Sequence, residues 1–395
     1  MNKPVKIAYI IDVLDTAQAG TENQLIKMLN GLGARGFEVS LICLRSHPWL
    51  TANAPSLGCR VSVFEIHRFK SPGTYLNILR LAGFLRAQKP DVVHTFFPVA
   101  NVVGVVAAWM AGIRNIVSSR RDYGEWMVGR YLPATRIANR FATKIVANSH
   151  PVKNLTVSAE RVAEDKVKVI YNGIDLGAFA GLTPDRALRT RLGIPDGNKV
   201  VTKVANFRPM KHQHALIEAA GVILKKRQDV DFLLVGADAG GCHLQAELEG
   251  LTRSLGIADR VHFTGRKTKV LPYLSITDIG VNCSEGEGLS NAIMEYMAAG
   301  IPCVVSRSGG NPDLVRDGET GRLFDLDNHE QLAGIILEML DDPAARVKFT
   351  ANALAMVREE MSIDGMLSKY ENFYLQLASP GLGEKTGDQG DVREH

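Results

Sequence analysis

Short runs of β-branched and other apolar residues alternate with longer amphipathic stretches along almost the whole chain. This alternation predicts parallel β-sheets covered by helices on both faces, because each crossover between parallel strands needs a helix. In the first half the pattern predicts strands at 6–11, 38–44, 60–66, 91–96, 116–119 and 144–148. In the second half it predicts strands at 200–205, 232–235, 261–264, 279–283 and 303–306. The expected fold class is α/β, with two doubly wound Rossmann-like domains.

Chain length and turn signals divide the 395 residues into two domains. The turn Asn172-Gly173 and the aperiodic segment after it place the boundary within 171–192. We predict a first domain at 1–175 and a second domain at 176–361. A last amphipathic helix is predicted at 362–377. The tail at 378–395, rich in Gly, Asp and Glu, is predicted to be disordered.

The composition, 46% apolar and 22% charged, is that of a globular protein. The apolar run 7–11 reaches Asp12 too soon for a signal peptide. The uncharged stretch 99–113 is shorter than the roughly 20 residues of a membrane span. Five scattered cysteines favour reduced thiols over a zinc site. We expect a cytoplasmic protein, with peripheral attachment to the inner face of a membrane left open.

The net charge of +4 is unevenly distributed, since residues 1–185 contain 22 Lys and Arg against 13 Asp and Glu. This basic half suits an anionic membrane surface or a phosphorylated lipid, although chance variation among surface charges explains it equally well. The run 130–153, with Trp126 nearby, interleaves basic and aromatic residues, which fits either a membrane contact or an ordinary amphipathic helix. No nucleic-acid-binding module accompanies the basic excess, so we expect no nucleic-acid partner.

The segment 284–295 follows a predicted strand and opens a predicted helix. Gly286 and Gly288 let backbone amides approach a ligand, and the helix dipole attracts an anion to this turn. Glu295, just over one turn into the helix, faces the cleft, where a carboxylate can accept hydrogen bonds from ribose hydroxyls. On these residues alone, a solvated acidic turn is the simpler interpretation.

Two cations, Arg208 and Lys211, lie just after the first strand of the second half, at the start of a predicted helix. Cations at the positive end of a helix dipole are unfavourable unless an anion lies between them. A diphosphate is such an anion, and both cations would stabilise charge on a leaving nucleotide diphosphate. The alternative is that both side chains point to solvent.

The order of these features resembles the family-four retaining glycosyltransferases. After the cation pair, Glu287 and Glu295 are separated by seven residues, as in the E-x7-E pattern of that family. Other motifs of the family occur in the same order between about residues 5 and 375: Ala19-Gly20-Thr21-Glu22, Asp91-Val92-Val93-His94, Asn148-Ser149, Tyr171-Asn172-Gly173-Ile174-Asp175, Gly309-Gly310-Asn311-Pro312-Asp313 and Asp317-Gly318-Glu319-Thr320-Gly321.

The resemblance implies the GT-B architecture: two Rossmann-like domains facing a cleft, the donor bound by the second and the acceptor mainly by the first. It also implies that the C-terminal helix crosses back to the first domain. No divalent metal and no cofactor are implied. Asp229-Val230-Asp231 spells the metal-binding D-x-D triplet of a different glycosyltransferase fold, but it precedes a predicted strand at the opposite edge of the sheet. We interpret it as a loop and assign no metal.

The resemblance also implies roles in the donor site. Glu295 would hold the ribose, Glu287 would contact the donor sugar, and Lys211 would contact the diphosphate. The family often has arginine where this chain has Asn206, so either Asn206 or Arg208 fills that position. The other implied donor contacts are Gly20, the amides of Gly288, Leu289 and Ser290 for phosphate, and Arg266 for the base.

In the first half, His94 ends a strand at the cleft edge and matches a family histidine that contacts a sugar hydroxyl or the transition state. A structural hydrogen bond is the alternative, and a second histidine common in the family is replaced by Phe96. Arg120, Arg121 and Asp122 close another strand at this edge, where arginines suit a phosphate-bearing ligand. Asp122 is either a base or an ion partner for its neighbours.

The predicted activity is transfer of a sugar, with retention, from a nucleotide-diphosphate sugar to a saccharide or lipid-linked acceptor. The resemblance favours UDP over GDP and suggests cell-envelope polysaccharide or glycolipid synthesis. A nucleotide-sugar epimerase on the same fold is the first alternative, and it would alter the donor without any acceptor. A two-domain binding protein with a hinge is the second.

Overall fold

The computed structural model of the protein describes residues 3–17, 19–66, 72–124, 131–239 and 241–379. It contains two all-parallel sheets, one of seven strands and one of six. The predicted fold class, two doubly wound α/β domains, is confirmed.

The first sheet has the order β3-β2-β1-β4-β5-β6-β7. Its strands are β1 (Lys6–Ile11), β2 (Glu38–Cys43), β3 (Arg60–Val63), β4 (Val92–Phe96), β5 (Asn115–Arg120), β6 (Lys144–Ala147) and β7 (Val167–Val169). The described helices around it are α1 (Gly20–Ala34), α2 (Pro48–Asn53), α3 (Pro72–Gln88), α4 (Pro98–Met110), α5 (Tyr131–Ala138) and α6 (His150–Glu160). The order reverses between β1 and β4, and a crevice forms at such a point, outside the carboxyl ends of the strands.

The second sheet has the order β10-β9-β8-β11-β12-β13 and reverses between β8 and β11. Its strands are β8 (Lys199–Val204), β9 (Val230–Val235), β10 (Val261–Phe263), β11 (Ile279–Asn282), β12 (Cys303–Ser306) and β13 (Arg322–Phe324). Its helices are α7 (Arg186–Leu192), α8 (Gln213–Lys226), α9 (Leu244–Ser254), α10 (Leu271–Leu274), α11 (Asn291–Ala298), α12 (Asn311–Leu314), α13 (His329–Asp341) and α14 (Pro343–Glu360).

A final helix, α15 (Ile363–Ala378), leaves the second domain and packs on the first. Ser362 begins it by accepting a hydrogen bond from Gly365 N at 3.1 Å, the usual N-cap contact. Arg35, the residue just after α1, binds Glu371 of α15 at 2.9 Å. Its buried side chains join the core formed by β1 and α1: Met366, Leu367, Tyr370, Phe373 and Tyr374.

The two connections between the domains run side by side. Ile174 N donates to Met361 O at 2.8 Å, and Ile363 N donates to Ile174 O at 3.0 Å. Gln24 of α1 binds both the amide and the carbonyl of Gly173. Gln24 therefore anchors the paired crossovers to the first domain.

The D-x-D interpretation needs a correction. Asp231 lies inside β9, not in a loop, and it is 1% exposed. His262 contacts its carboxylate at 2.8 Å and Asn198 donates to it at 2.7 Å. These partners explain why a strand can bury the charge. Among the residues that the structure describes, no cluster of His, Cys, Asp or Glu could hold a metal ion.

Candidate active site

The carboxyl ends of the two sheets meet across a narrow cleft. Asn172 donates from Nδ2 to Oδ1 of Asn291, the first residue of α11, at 3.1 Å. Asn172 Oδ1 accepts a hydrogen bond from the guanidinium of Arg121, just after β5. A methyl group on Gly20, where α1 begins, would lie 3.1 Å from Asn291 Nδ2. The ends of α1, β5 and α11 therefore converge on one point of the cleft.

Two loops of the second domain, which follow β8 and β11, lie side by side. The amide of Glu285 donates to the carbonyl of Met210 at 2.9 Å. Lys211 Nζ lies 2.9 Å from Glu287 Oε1, and both side chains are largely buried. Asn282 Nδ2 also donates to Glu287 Oε1, at 3.1 Å. The structure thus brings together the lysine and the carboxylate that the sequence singled out in separate motifs.

Glu287 is ionised at neutral pH despite its burial. Burial by itself raises the pKa of a carboxyl group, but the charge of Lys211 and a hydrogen bond from Ser284 Oγ outweigh it and bring the pKa of Glu287 to about 2. The carboxylate and the ammonium group of Lys211 neutralise one another in this state. An anionic ligand entering here would compete with Glu287 for Lys211.

Glu295 of α11 has a cationic neighbour that the sequence reasoning missed. Burial raises the pKa of Glu295 to about 7, and the charge of Lys27 on α1 acts against this rise. Lys27 Nζ donates to Gly173 O at 2.9 Å, so it is fixed at the domain crossover. Lys27 follows Gly20 by seven residues, a spacing that puts both on one face of α1. This periodicity was the available signal.

The turn before α11 is buried and packs closely against the first domain. Gly288, Leu289 and Ser290 are all buried, and Ser290 Oγ accepts from Asn282 Nδ2 at 2.9 Å. A methyl group on Gly288 would lie 2.3 Å from the carbonyl oxygen of Arg121 in the first domain. Only glycine fits at Gly288 when the cleft is closed to this extent.

The other predicted donor contacts are exposed. Asn206 and Arg208 both lie in the loop after β8 and are exposed, and the carbonyl of Asn206 accepts from Gln213 Nε2 at 2.9 Å. Arg266 is exposed in the turn after β10, next to Gly265 with a φ of +72°. Both Asn206 and Arg208 therefore remain candidates for the position of the usual arginine.

His94 lies behind the cleft and not on its surface. It is fully buried in β4, where Nδ1 contacts Tyr374 Oη at 2.6 Å and Nε2 contacts Ser119 Oγ at 2.8 Å. Burial lowers the pKa of His94 well below its usual value of 6.5, and the charge of Arg121 adds to this. A neutral histidine with both ring nitrogens in hydrogen bonds matches the structural alternative given above.

The adjacent arginines after β5 have different environments. Arg120 is 2% exposed and forms a buried ion pair with Glu160, with Nη2 2.8 Å from Oε2. Arg121 is half-buried at the cleft, where it binds Asn172. Asp122, also half-buried, lines a small cavity at this point together with both arginines. Of the two arginines, Arg121 contacts Asn172 at the cleft, whereas the guanidinium of Arg120 is held in the core by Glu160.

Two predicted features lie outside the described residues. They are Trp126, with the start of the basic and aromatic run, and the tail from 380 onward.

Elsewhere in the first domain, α3 exposes three apolar side chains to solvent, Tyr75, Leu76 and Leu79. No helix in the described parts of the chain is long and apolar enough to cross a membrane.

Comparison with known proteins agrees with this geometry. Residues 185–356 match the family described as Glycosyl transferases group 1, and residues 19–178 match Glycosyltransferase Family 4. Both are families of glycosyltransferases, and the two matches together cover most of the chain. The two matches fall on the two sheets, one on each domain.

Relatives of known activity and structure cover nearly the whole chain. The D-inositol 3-phosphate glycosyltransferase of Thermomonospora curvata is 27% identical over 91% of this chain and 92% of its own. The UDP-Gal:alpha-D-GlcNAc-diphosphoundecaprenol alpha-1,3-galactosyltransferase of Escherichia coli is 23% identical over 94% of this chain and 97% of its own. Anabaena HepE in complex with UDP superimposes with a TM-score of 0.81, at 24% identity, over 93% of this chain and 99% of its own.

Proposed function

We propose that this glycosyltransferase moves a sugar with retention from a nucleotide-diphosphate sugar, UDP in preference to GDP, to a saccharide or lipid-linked acceptor. The proposal rests above all on the 2.9 Å contact between Lys211 and Glu287 at the head of the cleft. UDP is preferred because it is the nucleotide of the HepE complex and of the Escherichia coli relative. The carboxylate of Glu295 would hold the ribose hydroxyls one helical turn away.

In the proposed reaction the bond between the anomeric carbon and the diphosphate oxygen breaks, and its electron pair stays on that oxygen. Lys211 and the amides of the turn at Gly288–Ser290 stabilise the negative charge that develops on the diphosphate. The acceptor oxygen bonds to the anomeric carbon, and the acceptor proton passes to the leaving diphosphate oxygen. No metal ion is needed for this step, since cationic side chains and amides carry the charge stabilisation.

Retention follows if departure and attack take place on one face of the sugar. Glu287 is the carboxylate proposed to contact the donor sugar, but it is engaged by Lys211 and Asn282. This engagement favours a contact to sugar hydroxyls over attack on the anomeric carbon. Trapping of a covalent glycosyl-enzyme adduct would contradict the proposal, and the anomeric configuration of the product, read by NMR, tests retention.

The acceptor is proposed to carry a phosphate. Arg121, half-buried beside Asp122 at the acceptor side, provides a planar cation suited to phosphate oxygens. Two relatives act on phosphate-bearing acceptors by name, inositol 3-phosphate and a diphosphoundecaprenol-linked sugar. A lipid-linked acceptor of this chemistry is consistent with a role in cell-envelope polysaccharide or glycolipid synthesis.

We also propose that the first domain contacts an anionic membrane surface through α3. Tyr75, Leu76 and Leu79 are 62%, 49% and 55% exposed, and Arg80 and Arg86 lie on the same helix. Exposed apolar residues beside arginines are typical of a helix that lies in a membrane interface. Leu76→Ser with Leu79→Ser should abolish sedimentation with vesicles rich in phosphatidylglycerol. Val347→Ser, on an equally exposed residue of the second domain, should not.

The activity is tested by measuring diphosphate release and product formation across UDP- and GDP-sugars, with and without a chelator. Acceptors are offered as matched pairs, with and without the phosphate. Glu295→Ala should lose donor affinity, and Lys211→Ala should lose turnover more than donor affinity. Wild-type rates in both variants would contradict the site, and donor conversion without any acceptor would favour an epimerase.

A further inference from the structure

A lysine that no motif singled out is buried in β8, the strand that precedes the loop of Lys211. Lys203 is the fifth residue of β8 and is 2% exposed. Its register partner in β9 is Leu234, so the side chain starts inside the sheet near its carboxyl end. Within the described ranges no hydrogen-bond partner reaches Lys203 Nζ. A fully buried ammonium group without a partner is rare in proteins, because it costs several kcal/mol.

The titratable groups that act on Lys203 come from two segments, the loop after β8 and the loop after β11. They are the ammonium group of Lys211 in the first loop, and the thiol of Cys283 and the carboxylate of Glu287 in the second. Burial lowers the pKa of Lys203, and the charge of Lys211 lowers it further, whereas Cys283 and Glu287 act in the opposite direction. Lys203 is therefore coupled to both members of the pair that heads the cleft, and it lies deeper than either.

Donor binding changes the balance at Glu287. Under the proposed function, the diphosphate attracts Lys211, which is the strongest source of stabilisation for the Glu287 carboxylate. When Lys211 turns toward the diphosphate, Glu287 keeps the neutral donors Asn282 and Ser284 but shares its cation. Leaving a buried carboxylate without a counter-charge is strongly unfavourable, so a second cation close to Glu287 would stabilise the donor complex.

We propose that Lys203 is a positioning residue of the donor site, whose ammonium group becomes the counter-ion of Glu287 when Lys211 turns to the donor diphosphate. Lys203 acts through Glu287 and does not touch the donor. Because the diphosphate offsets the charge of Lys211, the ammonium form of Lys203 becomes favourable, and a proton moves from solvent to Nζ. Donor binding is then linked to proton uptake. This inference rests on the proposed function.

The test is calorimetry of donor binding in two buffers of different ionisation enthalpy. The probes are UDP-glucose and GDP-glucose without acceptor, whose diphosphate diesters do not titrate in the range used. About pH 8.5 is suitable, because Glu295, with a pKa of about 7, is then ionised throughout. The wild type should take up about one proton for each donor molecule bound.

Lys203→Met and Lys203→Gln should both abolish this uptake and weaken donor binding on the order of tenfold, the equivalent of one pKa unit, with the acceptor KM unchanged. Lys199→Met is the matched control, at the start of the same strand and paired with Asp278 at 3.1 Å. The control should bind donor and take up protons as the wild type does. Lys203→Met should unfold at the same temperature as the wild type or higher, since it removes a buried charge.

The outcomes separate the two proposals. If the wild type binds neither nucleotide sugar, the proposed function fails. If the wild type binds and turns over donor, but takes up no proton or takes up the same amount as both Lys203 variants, only the role of Lys203 is overturned. The role of Lys203 is supported if both Lys203 variants lose the proton uptake and Lys199→Met retains it.

Discussion

Lys211 Nζ lies 2.9 Å from Glu287 Oε1, and this pair joins the loop after β8 to the loop after β11. The pair gives the fold a measurable dependence on pH. The pKa of Glu287 in the folded protein, about 2, is below the usual carboxyl value of 4.5. Its stabilising contribution is therefore present above about pH 4.5 and is lost as the pH falls toward 2.

Glu287→Gln should remove this part of the pH dependence. Between about pH 5 and pH 3 the wild type should lose about 2 kcal/mol more of its free energy of unfolding than the variant does. Denaturant unfolding at each pH measures the difference. Glu359→Gln, at an exposed position of α14, should follow the wild-type curve. Parallel curves for the wild type and Glu287→Gln would mean that Glu287 does not hold the predicted ion pair in solution.

Glu295 should control the acid limb of donor binding. Its pKa is raised to about 7 by burial, and only the ionised form can accept from both ribose hydroxyls. Donor affinity should fall by about tenfold per pH unit below this value, and Glu295→Gln should bind donor weakly and lack this acid limb. Titration calorimetry between about pH 6 and pH 8 measures both effects.

Lys27→Met should move that acid limb to higher pH, because the charge of Lys27 favours the ionised form of Glu295. Lys348→Met, an exposed lysine on α14, is the matched control and should leave the limb unchanged. If the acid limb of donor binding lies at the same pH in Lys27→Met as in the wild type, solvent screens the charge of Lys27 from Glu295.

Gly288→Ala should block closure of the cleft with little effect on either domain. The added methyl group would lie 2.3 Å from the carbonyl oxygen of Arg121, and backbone cannot move aside as a side chain can. We expect a rate loss on the order of a hundredfold, the scale of a misplacement of about 1 Å, and a larger radius of gyration in small-angle scattering. Gly334→Ala, in the open space around α13, should keep wild-type activity and gain about 0.5–1 kcal/mol. Full activity in Gly288→Ala would show that turnover does not need this closed contact.

Substitution of Arg120 should affect stability, whereas substitution of Arg121 should affect acceptor binding. Arg120→Met leaves Glu160 buried and uncompensated, so it should destabilise the protein by about 3–5 kcal/mol. Arg121→Met should leave the melting temperature within a few degrees, and raise the KM of a phosphate-bearing acceptor without changing donor affinity. An equal effect of Arg121→Met on acceptors with and without phosphate would contradict the proposed contact.

His94→Gln should affect stability and not the chemistry. The folded protein holds His94 neutral, whereas the unfolded chain binds a proton below about pH 6.5, so this site makes the wild type less stable as the pH falls through that value. The variant should lose about 1–3 kcal/mol with its two hydrogen bonds, and should show a weaker dependence on pH in this range. Its kcat, measured well below its melting temperature, should be close to that of the wild type. A kcat loss of several orders of magnitude in the folded variant would support the catalytic role.

Much of the fold could be predicted from the sequence because the strands of a buried parallel sheet are continuous apolar runs. β1 and β12 were predicted with the bounds that the structure gives them, and the other predicted strands within one to three residues. β7 and β13, each of three residues including one charged residue, were missed, whereas the equally short β10 was predicted. Periodicity needs a longer window than that.

The site was harder to predict where its contacts come from distant parts of the chain. The hydrogen bond of His94 joins residues 280 positions apart, and no local pattern reports it. The division of roles between Arg120 and Arg121 was within reach, because successive side chains of a strand point to opposite faces. The burial of Lys203 could not be predicted from its strand, because a lysine within an apolar run usually indicates an exposed residue at a sheet edge and not a buried charge.

The position of α15 has a consequence for synthesis on the ribosome. Five of its side chains complete the apolar interior around β1 and α1, so the first domain cannot finish its interior until this helix has emerged. The second sheet, whose strands all precede residue 325, has its own sequence available earlier. Although most domains fold in the order of translation, here the one that is translated first should reach its native state last.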